Sequence, residues 1–163
     1  MTIRDPRGDQ PAGVSAVLAL VIGAACFLSL AILGLGMLSY FADVDIVSVP
    51  GLSVWPGISG MAAAVLLFAA VLRPVLSQPH PSFRPVLIIG LAAALVHLAV
   101  VWLGALVTGV GLVHAAAAAS QLVVSGASLV LLITAVAGAW IAIALRRTSA
   151  SAPHWPWERT DEE

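Results

Sequence analysis

Long apolar stretches dominate the chain, and its polar residues collect in short segments between them. The four apolar blocks occupy about 14–40, 57–76, 86–108 and 116–145. A helix needs roughly 20 residues to cross a hydrocarbon core of about 30 Å, and each block is that long. The blocks do not alternate with period two, and backbone in lipid must satisfy its own hydrogen bonds, so we expect helices rather than barrel strands. The sequence therefore predicts an all-α integral membrane four-helix bundle.

The composition is that of a membrane protein. Of the 163 residues, 61% are hydrophobic and 9% are charged, and the mean hydropathy is +1.07. Soluble domains are about 45–50% apolar and about 25% charged, so a soluble fold is excluded. The net charge of −1 and the absence of a basic patch exclude nucleic-acid binding. A single cysteine, Cys26, excludes an internal disulfide and a cysteine-ligated metal site.

Polar segments flank the apolar region on both sides. Residues 1–13 contain Arg, Asp, Pro and Gly, and residues 146–163 combine Arg, Ser and acidic residues. Segments with few apolar residues do not bury enough surface to fold. We expect a disordered cytoplasmic N-tail at 1–13, a transmembrane domain at 14–145 and a disordered cytoplasmic C-tail at 146–163. Gly109, Gly111 and the alanines at 115–119 leave the start of the fourth span open.

The distribution of arginine predicts the orientation. All seven basic residues are Arg, and they lie in the N-tail, the connection between the second and third blocks, and the C-tail. Cytoplasmic segments of membrane proteins are enriched in Arg and Lys, so both termini are predicted in the cytoplasm. Four of these side chains are expected to anchor the helix ends at anionic headgroups: Arg73, Arg84, Arg146 and Arg147.

His97 is the only readily titratable side chain near the middle of an apolar block. A polar group at this depth tends to face the bundle and is a candidate functional residue. Hydroxyl groups on other spans are expected at similar depth, and the candidate intramembrane polar site comprises His97, Ser29, Ser128 and Thr134. A structural hydrogen bond is the simplest interpretation, with a proton relay, a haem ligand and a partner interface as alternatives. A bis-histidine haem needs a second mid-membrane His, which the chain lacks, so no cofactor is predicted.

Small residues recur at helical spacing within the blocks, as they do where membrane helices contact one another. The predicted contact faces are Ser15, Ala19, Cys26, Ser29 and Gly36 in the first block, Gly57, Gly60 and Ala64 in the second, and Gly90, Ala94, His97, Gly104 and Thr108 in the third. In the fourth block they are Gln121, Ser125, Ser128, Ala135 and Ala139, with a second ridge of Thr134, Gly138 and Ala142. These faces predict close packing within the bundle or against a second membrane protein.

Two tryptophans in the C-tail form a candidate partner-binding segment. The segment is Trp155, Pro156, Trp157 and Glu158. Two indoles are costly to leave in water, and the proline stiffens the segment and lowers the entropy lost on docking. Insertion into the headgroup layer and recognition of a protein partner are both open at this point.

The four predicted spans, the use of Arg for every basic residue and the tail Trp155-Pro156-Trp157-Glu158 followed by acidic residues together define a recognisable pattern. The chain resembles, over its whole length, the small uncharacterised four-span membrane proteins of high-GC actinobacteria, a family with a domain of unknown function. The tail motif is the specific element of this resemblance. The resemblance implies a bacterial plasma membrane protein and supplies no catalytic residues.

Two functional hypotheses follow. The sequence contains no HExxH, no glycine-rich phosphate loop and no GxSxG, so no enzyme is predicted. The first hypothesis is a non-enzymatic accessory or scaffold subunit that acts through helix packing and the cytoplasmic tail. The alternative is a small-solute channel or carrier formed by an oligomer. The expected partners are the lipid bilayer and either another membrane or cytoplasmic protein, bound through the C-tail, or a second copy of the chain.

Overall fold

The computed structural model describes residues 14–42, 54–109 and 111–148. This part of the chain is all-helical, with α1 (Ala16–Ala42), α2 (Trp55–Leu76), α3 (Val86–Val107), α4 (Gly111–Val124) and α5 (Ala127–Arg147). Helices α1, α2, α3 and α5 are long and apolar enough to cross a membrane, whereas α4 has 14 residues. The prediction of an all-α protein with four spanning helices is confirmed. Residues 1–13 of the predicted N-tail, and 149–163 of the predicted C-tail, lie outside the described residues.

The fourth block is two helices rather than the single helix expected over 116–145. Helix α4 ends at Val124, and α5 begins at Ala127. Between them Gly126 has a φ of +85°, a left-handed conformation that glycine adopts at no steric cost. The Ser125 hydroxyl accepts a hydrogen bond from the Ala127 N–H at 3.4 Å, which supports the first turn of α5. The fourth block is therefore divided into α4 and α5, of which α5 alone is long enough to cross a membrane, and α5 continues to Arg147, beyond the predicted start of the C-tail at 146.

The spanning helices pack as a ring. Helix α1 contacts α2, α2 contacts α3, α3 contacts α5 and α5 contacts α1, while α4 packs mainly on α3. The Arg146 guanidinium donates hydrogen bonds to the carbonyl oxygens of Leu76 and Val14, so the start of α1 and the ends of α2 and α5 lie together. We call this the arginine end of the bundle. Helices α1 and α3 end, and α2 begins, at the opposite end, which we call the distal end.

Small residues let α1 and α5 approach closely. A methyl group added at Gly23 would lie 2.7 Å from the Cβ atom of Ala142, and one added at Gly138 would lie 2.8 Å from the carbonyl oxygen of Gly23. Thr134, Gly138 and Ala142 are all buried, as the spacing in the fourth block predicts. Close backbone approach through small residues is a common way for membrane helices to pack.

The buried face of α1 differs from the predicted one. Every fourth residue is buried, in the series Ala19, Gly23, Phe27 and Ala31, whereas the predicted Ser29 and Gly36 are exposed. Phe27 packs against Phe68 of α2, with ring centroids 5.0 Å apart. A large aromatic side chain therefore fills the centre of the bundle at a position that a search for small residues passes over.

Candidate functional site

His97 lies in the middle of α3 and is buried, with 6% of its surface exposed. Gly60 of α2 lets the imidazole approach: a methyl group at position 60 would lie 3.1 Å from the ring carbon Cδ2. The ring nitrogen Nδ1 is buried and has no hydrogen-bond partner among the residues that the structure describes. A buried polar atom without a partner costs free energy, commonly about 1–3 kcal/mol. His97 is therefore held at the α2–α3 contact without the hydrogen bond that the sequence led us to expect.

A cavity of about 280 Å³ borders His97. Residues of all five helices, together with Val54 directly before α2, form its wall. The described residues of the wall are Leu35, Val54, Gly57, Ile58, Met61, His97, Val101, Leu122 and Ala127. Among the described residues of this wall, His97 alone has a polar side chain. We call this space the His97 cavity. Because Val54, Gly57 and Ile58 belong to the start of α2, the cavity lies in the distal half of the bundle.

The break between α4 and α5 helps to form this cavity. Leu122, in the last turn of α4, and Ala127, the first residue of α5, both lie in the wall. These two residues also pack with Val101 of α3 in a small apolar cluster. Gly126, between α4 and α5, has a left-handed φ of +85°, and residues on either side of it reach the same cavity.

The other predicted members of the polar site lie elsewhere. Ser29 is exposed on α1. The hydroxyl of Thr134 donates to the carbonyl oxygens of Val130 and Leu131 in its own helix, at 2.9 and 3.1 Å. Ser128 lines a separate cavity of about 280 Å³ between α3 and α5, and its buried hydroxyl has no partner among the described residues. The four predicted residues therefore do not form one site, and only His97 borders the cavity at the break.

The predicted arginine anchors divide into two kinds. Arg73, Arg84 and Arg147 are exposed, as a headgroup contact requires. Arg146 is partly buried, and its Nε and Nη1 atoms donate to the carbonyl oxygens of Leu76 at 3.1 Å and Val14 at 3.0 Å. These carbonyls have no partner within a helix because they lie at a helix end or before a helix. Arg146 therefore ties three helix ends together, a structural role that the sequence did not indicate.

An aromatic stack continues this structure at the arginine end. The Arg147 guanidinium lies over the Phe83 ring, with 5.1 Å between Cζ and the ring centroid. Phe83 in turn stacks on Trp140, with 6.0 Å between centroids. These contacts join the last turns of α5 to the connection between α2 and α3. The end of α5, from which the C-tail continues, is thus held by contacts to α1, α2 and this connection.

The described residues contain a candidate binding cavity and no candidate metal site. No group of three or more His, Cys, Asp or Glu residues able to hold a metal ion occurs in 14–42, 54–109 or 111–148. The candidate tail residues Trp155, Pro156, Trp157 and Glu158 lie outside those ranges. Within them, the His97 cavity combines an apolar wall with one buried hydrogen-bonding group. Pockets of this type bind apolar ligands and orient them through a small number of polar contacts.

Most of the cavity wall could not be predicted from the sequence. The spacing predicts Gly57 and Gly60 as a small-residue face of the second block, but it does not predict that this face lies opposite His97. The Ser125-Gly126 pair is the one sequence signal that marks the break, because this dipeptide is typical of turns. Comparison with known proteins finds no matching family model, no matching curated protein and no matching solved structure. The resemblance to four-span actinobacterial proteins therefore stays a prediction.

Proposed function

We propose that the chain is a non-enzymatic accessory or scaffold subunit of a bacterial plasma membrane that holds a partner protein through its C-terminal Trp-Pro-Trp segment. The observation that carries the proposal is the fixed helix end from which this segment continues. Arg146 joins the end of α5 to α1 and α2, and Arg147 rests on Phe83. A binding segment that leaves from a fixed point stays at a defined place on the membrane surface.

The length of the tail limits the reach of this segment. Trp155 lies seven residues after Thr148, the last described residue. A chain spans at most about 3.3–3.6 Å per residue, so Trp155 stays within about 25 Å of Thr148. The partner is therefore a membrane protein, or a cytoplasmic protein recruited to the membrane surface. Two aromatic side chains close together are typical of the residues that contribute most of the energy in protein interfaces.

The arginine end supports a cytoplasmic location for both tails. Helix α1 starts there, α2 and α5 end there, and the exposed Arg73, Arg84 and Arg147 belong to this end. Exposed arginines near helix ends favour the cytoplasmic face and its anionic lipids. A reporter active only in the cytoplasm, fused after Glu163, is expected to give a signal. A matched fusion after residue 45, in the first connection, is expected to give none, and the reverse pattern contradicts the orientation.

Co-purification tests the partner proposal. The intact chain is extracted from native membranes in mild detergent and compared with the Trp155→Ala/Trp157→Ala double variant by mass spectrometry. We expect a stoichiometric partner that is lost in the double variant. A Glu162→Gln/Glu163→Gln variant is the matched control, since it changes the same tail and keeps both tryptophans. Equal recovery of every associated protein in all three samples would contradict the proposal.

A second candidate function, a small-solute channel or carrier formed by an oligomer, draws support from one observation. The break between α4 and α5 lies beside a cavity that a buried histidine borders, and polar groups within the membrane often mark transport pathways. Flux of small neutral solutes into reconstituted vesicles is the test, with His97→Leu as the variant and Thr134→Val as the control. Solute flux that falls in His97→Leu alone favours the carrier. Absence of flux in the intact protein counts against it.

A further inference from the structure

We propose that the His97 cavity binds a small apolar molecule from the bilayer that carries a single hydroxyl or carbonyl group. The inference goes beyond the accessory function, because it depends on the bundle and not on the C-tail. It stands on three features of the described residues: a buried imidazole in the cavity wall, a wall that is otherwise apolar and a lipid-facing groove beside the cavity.

The imidazole supplies the polar contact. His97 is 6% exposed and borders the cavity. Its Nδ1 atom is enclosed by the protein, so the edge of the imidazole that carries Nε2 is the part that an occupant can contact. In a neutral imidazole this nitrogen either donates or accepts a hydrogen bond, depending on the tautomer. Either a hydroxyl or a carbonyl of an occupant therefore suits His97.

The remaining wall selects against a polar or charged occupant. Leu35, Ile58, Met61, Val101 and Leu122 present only hydrocarbon and thioether groups. A charged molecule would lose its hydration without gaining partners for more than one of its polar atoms. An isolated water molecule is also disfavoured, since a buried water needs two to four polar partners and the wall offers one polar side chain.

The size of the cavity indicates the size of the occupant. Its volume of about 280 Å³ is roughly twice that of an apolar cavity of about 150 Å³ that takes up benzene. A fused or substituted aromatic ring, or the end of an isoprenoid chain, is of this size. A whole phospholipid is far larger and does not enter.

A groove on the outside of the bundle gives the source of the occupant. Leu28 and Ile32 of α1 and Ala62, Val65 and Leu66 of α2 form this groove, together with Ile58 and Met61. The last two residues also line the His97 cavity. The groove faces outward on two spanning helices and is apolar throughout, so it lies against lipid chains. A molecule dissolved in the bilayer therefore reaches the cavity between α1 and α2, past Met61.

Gly57 offers a way to close the site without disturbing the fold. A methyl group at this position meets no atom within 4 Å, because it points into open space, and Gly57 lies in the cavity wall. Gly57→Leu is expected to fill the cavity. Gly36 of α1 is the matched control, since it also has nothing within 4 Å and is not part of the wall. Gly36→Leu therefore adds the same side chain to a spanning helix and leaves the cavity open.

The experiment uses 2-naphthol as the probe, with naphthalene as the analogue that lacks the hydroxyl. The full chain, labelled with ¹⁵N-histidine, is placed in phosphatidylcholine nanodiscs, and the imidazole ¹⁵N signals are followed by NMR. We expect 2-naphthol to shift the His97 signals saturably, while the signals of the exposed His80 and His114 do not move. Gly36→Leu is expected to respond like the intact chain, and Gly57→Leu to lose at least tenfold in affinity.

A second variant isolates the hydrogen bond. By probe fluorescence, the intact chain is expected to bind 2-naphthol about fivefold more tightly than naphthalene, as a net hydrogen bond of about 1 kcal/mol gives. His97→Leu is expected to bind the two probes equally. The Trp155→Ala/Trp157→Ala variant is expected to bind like the intact chain, which separates this test from that of the tail. The absence of a saturable His97 shift, or an unchanged affinity in Gly57→Leu, would overturn the proposal.

Discussion

A single methyl group added at Gly23 is expected to disrupt the contact between α1 and α5. The new Cβ atom would lie 2.7 Å from the Cβ atom of Ala142 and 3.1 Å from the carbonyl oxygen of Gly138. Two carbon atoms in van der Waals contact lie about 3.5–4.0 Å apart, so Gly23→Ala requires a local separation of about 1 Å. Ala142 has no flexible end that can move aside, and the displacement must therefore come from the helices.

Two opposing contributions determine how Gly23→Ala changes the free energy of unfolding. Overpacking a close-packed interface costs about 1–3 kcal/mol. Replacing a helical glycine by alanine stabilises the helix by up to about 1 kcal/mol. We expect Gly23→Ala to lower the free energy of unfolding by about 1–2 kcal/mol, a factor of about 5–30 in the ratio of folded to unfolded protein.

Equilibrium unfolding in mixed dodecylmaltoside and SDS micelles, followed by circular dichroism, measures this change. Gly36→Ala is the matched control, because the same substitution in the same helix meets nothing within 4 Å, and it is expected to unfold like the intact chain or slightly later. Combining Gly23→Ala with Ala142→Gly removes the shortest contact and is expected to recover part of the loss. If Gly23→Ala proves as stable as Gly36→Ala, the close approach of α1 and α5 at this position is refuted.

Two further predictions concern the helix ends and use the same unfolding assay. Arg146→Ala removes hydrogen bonds to two carbonyl oxygens and is expected to lower the free energy of unfolding by about 1–3 kcal/mol. The neighbouring Arg147→Ala loses one exposed contact with an aromatic ring and is expected to lower it by about 0.5–1 kcal/mol. Equal losses would argue against the tethering role of Arg146. Gly126→Ala places a side chain at a φ of +85° and is expected to lower the free energy of unfolding by about 1–2 kcal/mol. Gly57→Ala lies within a right-handed helix and faces open space, so it is expected to leave the free energy of unfolding unchanged. Similar stabilities of the two variants would contradict the break at Gly126.

The spanning helices could be predicted because their signal depends on length and hydrophobicity alone. Blocks of 20 or more apolar residues leave few alternatives in a bilayer. The break at Gly126 could not be predicted with the same security. Glycine is frequent within membrane helices and is usually tolerated there, so the Ser125-Gly126 dipeptide alone does not distinguish a break from a continuous span.

The contact faces were harder to predict than the helices. In water, an amphipathic pattern identifies the buried face of a helix, but a helix in lipid is apolar on all sides and packs by shape. For α5 the small residues Gly138 and Ala142 identified the face correctly. For α1 the hydroxyl of Ser29 and the small Gly36 suggested a face that is exposed, and the buried Phe27 was missed.

At the candidate site, His97 could be predicted from the sequence but its neighbours could not. The sequence singled out His97 because a polar group in the middle of an apolar helix is unusual, and the structure places it in a buried position. Its neighbours could not be inferred, because Gly60 and Leu122 come from helices whose rotation and ends depend on the packing of the whole bundle. A hydrogen bond to Ser29, Ser128 or Thr134 was expected because these hydroxyls reach a similar depth, but depth along a helix does not determine which way a side chain faces.

Photo-cross-linking in living cells tests the central claim most directly. A photoreactive amino acid replaces Trp157 in the full chain, and the adducts are identified by mass spectrometry, with the same residue at Glu163 as the control position. The account predicts one dominant protein adduct from position 157 and little of it from position 163. Adducts to lipid alone from position 157 would place the tryptophans in the headgroup layer and contradict a role for the tail in binding a partner.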